Sequence, residues 1–365
     1  MKIGLVGLNQ TGKTTIFDLL THRDPHTHAL ESKTAAKAAA STGVGFVPDA
    51  RLDFLSGLYL PKKTTNAQIE LTDVTGFSIS GEGQKSGAAK FLNDVRHCDA
   101  LLHVLRAFDS DSLPHEQGEI NPARDLKTVE TELLFADLEL VDKRIERITT
   151  GKKITKEHAL ELEWLKTCYA HLESGGSLAD VEQPPAELNI FGKYQFLTTK
   201  PRLAVVNLDE NQLKSKTYPY KDELEASCAQ LGMPLLELCG DMELEVSRLP
   251  EGDKSLFMED LGISQPGISV LAKAMYDLLG YISFFTVGED EVKAWTVTDG
   301  IHARAAAGKI HSDIERGFIR AEVVKFADIK ELGSMAKVKE KGLFRLEGKE
   351  YPVVDGDIIH YRFNV

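Results

Sequence analysis

The chain has 365 residues and a formal net charge of -13. Its length exceeds the size at which one hydrophobic core usually stops growing, so we expect two or three domains. With 42% hydrophobic and 27% charged residues, the composition is that of a soluble globular protein and excludes a disordered or fibrous chain. The negative charge disfavours diffuse binding to a phosphate backbone, so DNA is not an expected partner and any RNA contact must be local.

Neither the cysteines nor the apolar segments indicate secretion or a membrane. The four cysteines are scattered without a Cys-x-x-Cys pair, which favours thiols in a reducing compartment over zinc ligands or disulfides. Met1 leads into an apolar strand that is too short for a signal-peptide core, and no apolar run is long enough to span a bilayer. We therefore expect a cytoplasmic location and no membrane partner.

The first predicted elements are a strand over residues 2–7 and a helix over residues 14–20. Between them, residues 7–14 read Gly-Leu-Asn-Gln-Thr-Gly-Lys-Thr. In such a loop the two glycines let backbone N–H groups approach phosphates, the lysine reaches the β and γ phosphates, and the last hydroxyl contacts Mg²⁺. The pattern predicts a phosphate-binding loop, and the alternative is a glycine-rich turn without a ligand. The predicted nucleotide-binding residues here are Asn9, Gln10, Thr11, Gly12, Lys13, Thr14 and Thr15, with Lys13 also catalytic.

A second part of the phosphate site is predicted at the end of the next strand. Residues 69–73 alternate as a strand, and the chain continues as Asp73-Val74-Thr75-Gly76. The Asp73 carboxylate can hold Mg²⁺ through water, and the Gly76 N–H can contact a γ phosphate. We therefore predict a metal site formed by Thr14 and Asp73. Phe77 stands where many GTPases carry a glutamine that orients the attacking water, so hydrolysis would be slow or organised differently, unless Phe77 simply packs against a neighbour.

Two further apolar strands, over residues 100–105 and 203–207, predict a mostly parallel sheet that is covered on both faces. Between them, residues 126–140 and 162–172 carry apolar positions at steps of three and four. This pattern predicts an inserted antiparallel helical hairpin, with two ordinary sheet-covering helices as the alternative. From about residue 281 the pattern changes to short strands and turns, which predicts a small β-rich C-terminal domain.

The strand that ends at Asn207 continues with Leu208, Asp209 and Glu210. GTPases carry Asn-Lys-x-Asp at this place, and the aspartate there accepts hydrogen bonds from guanine. Because Leu208 replaces the lysine and Glu210 the aspartate, we expect guanine selectivity to be weakened. The tetrapeptide could equally be a turn or the start of a helix.

Together these motifs resemble the YchF subfamily of Obg-related P-loop NTPases, also called Obg-like ATPases, over essentially the whole chain. Besides the glycine loop, the resemblance is carried by residues 73–76, 90–92, 99–106, 207–210, 293–297, 310–313, 317–323, 355–357 and 363–365. It implies an α/β P-loop G domain with an inserted α-helical coiled-coil hairpin and a C-terminal α+β TGS domain. The domain bounds that we assign are 1–124 and 200–282 for the G domain, 125–199 for the hairpin and 283–365 for the TGS domain.

The resemblance also implies an activity and partners. It implies Mg²⁺-dependent hydrolysis of ATP at least as readily as GTP, with K⁺ as a further candidate cofactor, and association with the ribosome or a structured RNA. His115 matches a histidine proposed to assist hydrolysis in the family, although a solvated loop histidine needs no role. Cys239 and Gly240 fall where the last base-contacting loop of the family lies.

Two segments depart from the family pattern. Asn9-Gln10 replaces Pro-Asn in the phosphate loop, and residues 38–42 read Ala-Ala-Ala-Ser-Thr where the first switch should be, so the switch threonine is missing or displaced to Thr42. These departures keep open a second function, a nucleotide-sensing RNA- or protein-binding module with negligible hydrolysis. A basic cluster between Lys337 and Arg345 could serve that module or be a solvated surface. A P-loop kinase is disfavoured by the base-reading motif.

Overall fold

The computed structural model describes residues 2–23, 41–74, 84–151, 155–184, 194–260, 263 and 265–364. The predicted Gly76 and Phe77 lie outside these residues. The strands are β1 (Lys2–Val6), β2 (Ser41–Val47), β3 (Lys63–Thr65), β4 (Ala67–Asp73), β5 (Ala100–Arg106), β6 (Arg202–Asn207), β7 (Leu235–Leu238), β8 (Tyr281–Thr286), β9 (Glu291–Thr298), β10 (Phe318–Lys325), β11 (Arg345–Glu347) and β12 (Asp357–Phe363).

The helices alternate with these strands in the first two thirds of the chain. They are α1 (Lys13–Thr21), α2 (Ala50–Tyr59), α3 (Gln84–Arg96), α4 (Pro122–Thr149), α5 (Lys156–Glu173), α6 (Glu210–Ser215), α7 (Lys221–Gln230), α8 (Gly240–Arg248), α9 (Glu251–Asp260), α10 (Gly267–Leu278), α11 (Ala303–Ile310), α12 (Ser312–Arg316), α13 (Phe326–Leu332) and α14 (Met335–Glu340). Within the described ranges, no helix is long and apolar enough to cross a membrane.

A six-stranded sheet with the order β2-β4-β1-β5-β6-β7 carries the N-terminal part of the fold. The pairings of β1 with β4 and β5, of β5 with β6, and of β6 with β7 are all parallel. Every residue of β5 is buried, as expected for a central strand covered on both faces. The carboxyl ends of β1, β4, β5 and β6 therefore meet at one edge, where ligands bind in open parallel sheets. The mostly parallel α/β sheet predicted from the sequence is confirmed.

Helix α4 explains why the sequence pattern fitted both a hairpin and a sheet-covering helix. It begins at the N-cap Asn121, whose side chain accepts a hydrogen bond from Arg124 N, with proline in the first turn. Val129 and Leu133, in its first half, are buried in the core with residues of β1 and β5. Val141 and Ile148, in its second half, are buried in a separate core with α5. One helix therefore serves both roles.

The chain divides into two compact units, one of Met1–Gly43 with Glu70–Ile268 and the other of Val44–Ile69 with Ser269–Val365. The second unit contains a β-rich sheet with the order β11-β10-β12-β8-β9-β3. Its core includes Phe284, Val323 and Tyr361 under the small residues of α11. The β-rich C-terminal domain predicted from the sequence is thus present.

The second unit also includes residues 44–69, which the sequence assigned to the G domain. They belong with the C-terminal residues because β3 pairs in parallel with β9, and because Phe54 packs edge-on against Phe326 with ring centroids 5.6 Å apart. No local pattern in the sequence reports a pairing between segments so far apart in the chain. The three-domain division of the sequence analysis, with the hairpin as a domain of its own, stays a prediction.

Candidate functional site

The turn between β1 and α1 has the backbone that a phosphate loop requires. Gly7 and Gly12 have φ values of 146° and 89°, which side chains of L-residues rarely adopt. A Cβ on Gly7 would lie 2.4 Å from the carbonyl oxygen of Val104, and one on Gly12 would lie 2.3 Å from Nδ2 of Asn207. Gln10 holds a left-handed φ of 61° without being glycine, a conformation that costs free energy and is concentrated at functional sites.

Lys13 begins α1 with its side chain folded along this loop. Its ammonium donates hydrogen bonds to the carbonyl oxygens of Gly7, at 3.2 Å, and Leu8. Burial lowers the pKa of Lys13 to about 8, although the carboxylates of Asp73 and Glu116 act in the opposite direction. Among the residues that the structure describes, the ammonium donates its hydrogen bonds to loop carbonyls, which places it where an anionic ligand could bind.

Thr14 and Asp73 are brought together from α1 and the end of β4. The Thr14 hydroxyl donates a hydrogen bond of 3.0 Å to Oδ2 of Asp73. Hydroxyl and carboxylate oxygens are the ligands that Mg²⁺ prefers, and Mg²⁺ usually takes one or two of them from the protein and completes its shell with water and phosphate oxygens. In the described part of the chain there is no cluster of three or more His, Cys, Asp or Glu side chains that would hold a metal by itself.

These residues line a cleft of about 800 Å³ at the carboxyl edge of the parallel strands. The volume suits a nucleotide-sized ligand. The lining comes from the phosphate loop, the ends of β4, β5 and β6, and the start of α8. It consists of Asn9, Gln10, Gly12, Lys13, Thr14, Thr15, Ser41, Asp73, Val74, Phe108, Asp109, Ser110, Ser112, Leu113, Asn207, Leu208, Asp209 and Asp241. Of the predicted phosphate-loop set, Thr11 alone is absent from this lining, since its hydroxyl donates to the Leu8 carbonyl oxygen inside the loop.

Asn207 is placed as a connector between two loops. Its Nδ2 donates to the carbonyl oxygen of Thr11 at 3.2 Å, and its Oδ1 accepts from Gly240 N at 2.9 Å. Both ends of the amide are therefore used within the protein, and the residue is buried. It connects the phosphate loop to the β7–α8 turn and also lines the cleft, and its predicted contact with a nucleotide stays a prediction.

Glu210 was predicted as a nucleotide-binding residue, but it does not lie at the cleft. The structure places Glu210 outside the lining of the cleft, at the first position of α6, where its carboxylate pairs with Lys214 at 2.5 Å. The reason is a capping box, in which Asp209 accepts from Gln212 N and the Gln212 side chain accepts from Asp209 N. Leu208 is buried and lines the cleft, and its contact with a nucleotide stays a prediction.

The turn after β7 contains Cys239 and Gly240, which were predicted to contact the nucleotide. Cys239 is buried as the N-cap of α8, and burial raises the pKa of its thiol. Gly240 contacts Asn207 through its backbone N–H. Neither lines the cleft, whereas the next residue, Asp241, does.

The loop after β5 supplies cleft residues that the sequence analysis missed. Residues 108–113 contribute Phe108, Asp109, Ser110, Ser112 and Leu113 to the lining. They match no motif, and the only signal that could have found them is their position directly after a buried parallel strand, at the edge where such sheets bind ligands.

His115 lies just beyond this loop and does not line the cleft. Its Nδ1 accepts from Gln117 N at 3.2 Å, so Nε2 carries the proton and faces Oδ2 of Asp125 at 2.8 Å. The side chains of His115 and Asp125 are 3% and 1% exposed. This geometry favours a buried structural pair over a group that contacts a nucleotide, and the catalytic role of His115 stays a prediction.

Comparison with known proteins decides the family. Residues 2–137 match the family model described as 50S ribosome-binding GTPase, and residues 281–364 match the model for the C-terminal part of YchF GTPases, described as a protein of unknown function. The chain is 39% identical to the ribosome-binding ATPase YchF of Bacillus subtilis (strain 168), covering 99% of both chains. It is 35% identical to the protein of the same name from Escherichia coli O157:H7, covering 100% of this chain and 99% of that protein.

The chain belongs to the YchF family. The resemblance drawn from the motifs is thereby confirmed, including the segments at both ends. The structure of the YchF GTPase of Schizosaccharomyces pombe matches with a TM-score of 0.85 at 27% identity, covering 99% of this chain and 97% of that one. A P-loop G domain and a C-terminal β-rich domain are therefore shared with the YchF fold.

Proposed function

We propose that this chain is a Mg²⁺-dependent nucleotide-binding and nucleotide-hydrolysing switch that accepts ATP at least as well as GTP and associates with the ribosome. The observation that carries the proposal is the cleft itself. It joins a phosphate loop, a cation at Lys13, and the oxygens of Thr14 and Asp73 in one space of about 800 Å³. A nucleoside triphosphate is the ligand class whose chemistry uses all of these groups.

Each group has a defined task in this proposal. The backbone N–H groups at the start of α1 and the Lys13 ammonium bind the phosphates, and Lys13 also offsets the charge that develops on them during transfer. Thr14 and Asp73 would hold Mg²⁺, which supplies charge neutralisation between the β and γ phosphates when bound. The cleft wall near Phe108 and Leu208 is apolar, and both residues lie beside Asn207, whose carbonyl oxygen accepts from Phe108 N at 3.3 Å. A purine base lies against this wall.

The proposed preference for ATP over GTP depends on which hydrogen-bonding groups line the part of the cleft that would contact the base. Guanine selectivity needs a carboxylate that accepts from two guanine N–H groups, and Glu210 is not at the cleft. Asp209 lines the cleft, but its carboxylate accepts from Gln212 N at 2.9 Å in the helix cap. Stacking on an apolar wall does not distinguish adenine from guanine, so ATP competes with GTP. The names of the relatives as ATPases agree with this preference.

Competitive binding of ATP against GTP in the presence of Mg²⁺ tests the proposal. We expect ATP to bind at least as tightly as GTP, and Lys13→Ala to abolish the binding of both. Asp241→Asn tests for a guanine reader, since Asp241 is a further carboxylate in the lining of the cleft. We expect it to change the affinities for ATP and GTP equally. A thousandfold preference for GTP in the wild type, lost in Asp241→Asn, would contradict the assignment.

A second function, nucleotide sensing with negligible hydrolysis, is favoured by one observation. The histidine expected to assist hydrolysis is held in a buried pair with Asp125, away from the cleft lining. In this alternative the protein binds RNA or protein partners in a nucleotide-dependent way without turnover. Measurement of phosphate release with and without ribosomes and K⁺ separates the two functions. Release that ribosomes accelerate supports the switch, and no release under any of these conditions supports the sensor.

Ribosome association is proposed from the relatives and from local charge. Lys337, Lys339 and Lys341 are exposed on and after α14, where they can contact an RNA phosphate backbone despite the net negative charge of the chain. Co-sedimentation with ribosomes at increasing salt tests this contact. We expect a triple Lys→Gln variant at these positions to lower the bound fraction and its salt dependence.

A further inference from the structure

The side chain of Arg106, at the end of β5, is buried beneath the cleft and has no role in the proposed phosphate chemistry. The residue is 1% exposed, which is rare for a group that is always charged. Its hydrogen bonds go to main-chain oxygens instead of a carboxylate. Nε donates to the carbonyl oxygen of Phe108 at 3.1 Å, and Nη2 donates to that of Leu113 at 2.7 Å.

These two acceptors are the first and last residues of the loop that forms one wall of the cleft. All the lining residues from this loop lie within residues 108–113. A loop without its own helix or strand is usually mobile unless side chains tie its backbone. The planar fork of one guanidinium joins both ends and so fixes the span of the loop.

The same guanidinium supports the ring of Phe108. Its central carbon lies 4.6 Å from the Phe108 ring centroid, within the range of a cation–π contact. The contact orients an aromatic ring whose backbone N–H also bonds to Asn207 O. Phe108 is thereby fixed next to Asn207, which precedes Leu208, another apolar residue of the lining.

The arrangement is costly, which argues that it serves more than packing. Nη1 of Arg106 is buried and has no hydrogen-bond partner among the residues that the structure describes. Burial lowers the pKa of Arg106, which reflects the free energy of removing its charge from water. The carboxylates of Asp109 and Asp125 act in the opposite direction but accept none of its hydrogen bonds, and a buried cation is often less stabilising than an apolar side chain of similar size.

We propose that Arg106 is a positioning residue that preorganises the 108–113 loop, so that Phe108 and Leu208 form the wall for the purine base. The inference rests on the proposed nucleotide-binding function and adds a residue that acts through the loop. Arg106 contacts the loop that forms the base wall and not the phosphate loop. Its replacement therefore weakens binding of the base and leaves binding of the phosphates unchanged. ATP and GTP are affected alike, since the side chains of Phe108 and Leu208 carry no hydrogen-bonding group that would distinguish the two bases.

The experiment compares Mg-ATP with Mg-tripolyphosphate, which has no base, by isothermal titration calorimetry. Arg106→Lys keeps the charge but lacks the fork, and we expect it to weaken ATP binding at least about tenfold. Tripolyphosphate affinity should remain within about twofold of the wild type. The value of kcat at saturating ATP should stay unchanged while KM rises. Arg202→Lys is the matched control, because Arg202 is a largely buried arginine that pairs with Glu130 instead of the loop, and it should alter neither affinity.

Phe108→Leu provides a second variant that leaves the hydrogen bonds of Arg106 to the backbone in place. It keeps an apolar side chain but removes the aromatic face, and we expect the same loss of ATP affinity with tripolyphosphate binding retained. The proposal is overturned if either folded variant binds ATP as tightly as the wild type, or if ATP and tripolyphosphate are lost in parallel. If Arg106→Lys does not fold, the affinities of Phe108→Leu for ATP and tripolyphosphate decide the test. A wild-type protein that binds neither ATP nor GTP would instead refute the proposed function.

Discussion

The Thr14 hydroxyl lies 3.0 Å from Oδ2 of Asp73, although the two residues belong to different elements and are 59 positions apart. Thr14 is in the first turn of α1, and Asp73 ends β4. Parallel pairing of β4 with β1 sets Asp73 opposite Leu5, two residues before the phosphate loop. The sheet therefore delivers a hydroxyl and a carboxylate to the same point, where a divalent cation can bridge the protein and a nucleotide.

We expect Asp73→Asn and Thr14→Ala each to lower nucleotide affinity about 10- to 100-fold in the presence of Mg²⁺. The affinity measured with EDTA should change little, because neither side chain is the main phosphate ligand. Thr14→Ser retains the hydroxyl and is the control that should bind like the wild type. Titration of nucleotide with and without Mg²⁺ provides the measurement. Equal losses with Mg²⁺ and with EDTA would argue against a metal role.

Asn207→Asp tests the connection between the two loops. The variant keeps an acceptor for Gly240 N but loses the donor to Thr11 O, and it sets a carboxylate against a carbonyl oxygen. We expect a cost of about 1–3 kcal/mol at this buried position. Because the phosphate loop itself is displaced, ATP and tripolyphosphate should both bind more weakly, unlike in the Arg106 variants. Retained tripolyphosphate affinity would show that Asn207 does not support the phosphate loop.

The sequence predicted those residues of the site that belong to a short pattern of residues adjacent in the chain. Lys13 and Thr14 could be found because the loop, its glycines and the following helix form one short pattern. Asp73 could be found because it ends a strand that must lie at the same sheet edge. Glu210 does not line the cleft, and the sequence contained a signal for its different position. Asp209 and Gln212 have the spacing of a capping box, which starts a helix and turns the intervening residues outward.

Other features depend on tertiary contacts and have no local signal. The loop at 108–113 lines the cleft because Arg106 and Asn207 hold it there. Thr42 was the candidate for the switch hydroxyl, but it is exposed, and the preceding Ser41 lines the cleft instead. Residues 44–69 join the C-terminal unit through contacts such as that of Thr65 with Glu291, 226 positions away. Patterns within a short window do not report such distant partners.

His115→Ala distinguishes a structural histidine from a catalytic one. Removal of the imidazole leaves the buried Asp125 carboxylate without one of its donors, so we expect the free energy of unfolding to fall by about 1–3 kcal/mol. The value of kcat should change less than tenfold, because His115 does not line the cleft. Urea unfolding and steady-state phosphate release provide the measurements. A loss of a hundredfold or more in kcat, with unchanged stability, would restore the catalytic assignment.

Arg51→Lys tests the place of residues 44–69 in the C-terminal unit. Arg51 donates to both oxygens of Asp355, at 2.7 and 3.2 Å, and its guanidinium lies over the Phe285 ring. Lysine cannot reproduce this fork, and we expect a loss of about 1–2 kcal/mol. Hydrogen exchange of β3 amides in the full chain should accelerate. Arg362→Lys, which alters an exposed pair with Glu322 in the same unit, should have a smaller effect. Equal effects would argue against a special role of Arg51.

His103 gives the stability of the first unit a pH dependence whose sign is fixed by burial. Its side chain is buried in β5, and within the described ranges neither ring nitrogen has a hydrogen-bond partner. Burial lowers its pKa from 6.5 to about 3. The folded protein therefore holds a neutral imidazole where the unfolded chain binds a proton. Between these two pKa values the unfolded state binds more protons, so stability falls as the pH decreases below 6.5.

For one group, the slope approaches about 1.4 kcal/mol per pH unit. We expect His103→Leu to reduce the slope of the unfolding free energy below about pH 7, by an amount that grows as the pH falls and approaches one proton near about pH 5. The variant should also be more stable than the wild type at the acidic end, because it removes a buried polar ring. His360→Leu, at an exposed position of β12, is the control and should leave the slope unchanged. Urea unfolding at a series of pH values measures both slopes, and equal slopes for the wild type and His103→Leu would exclude His103 as the titrating group.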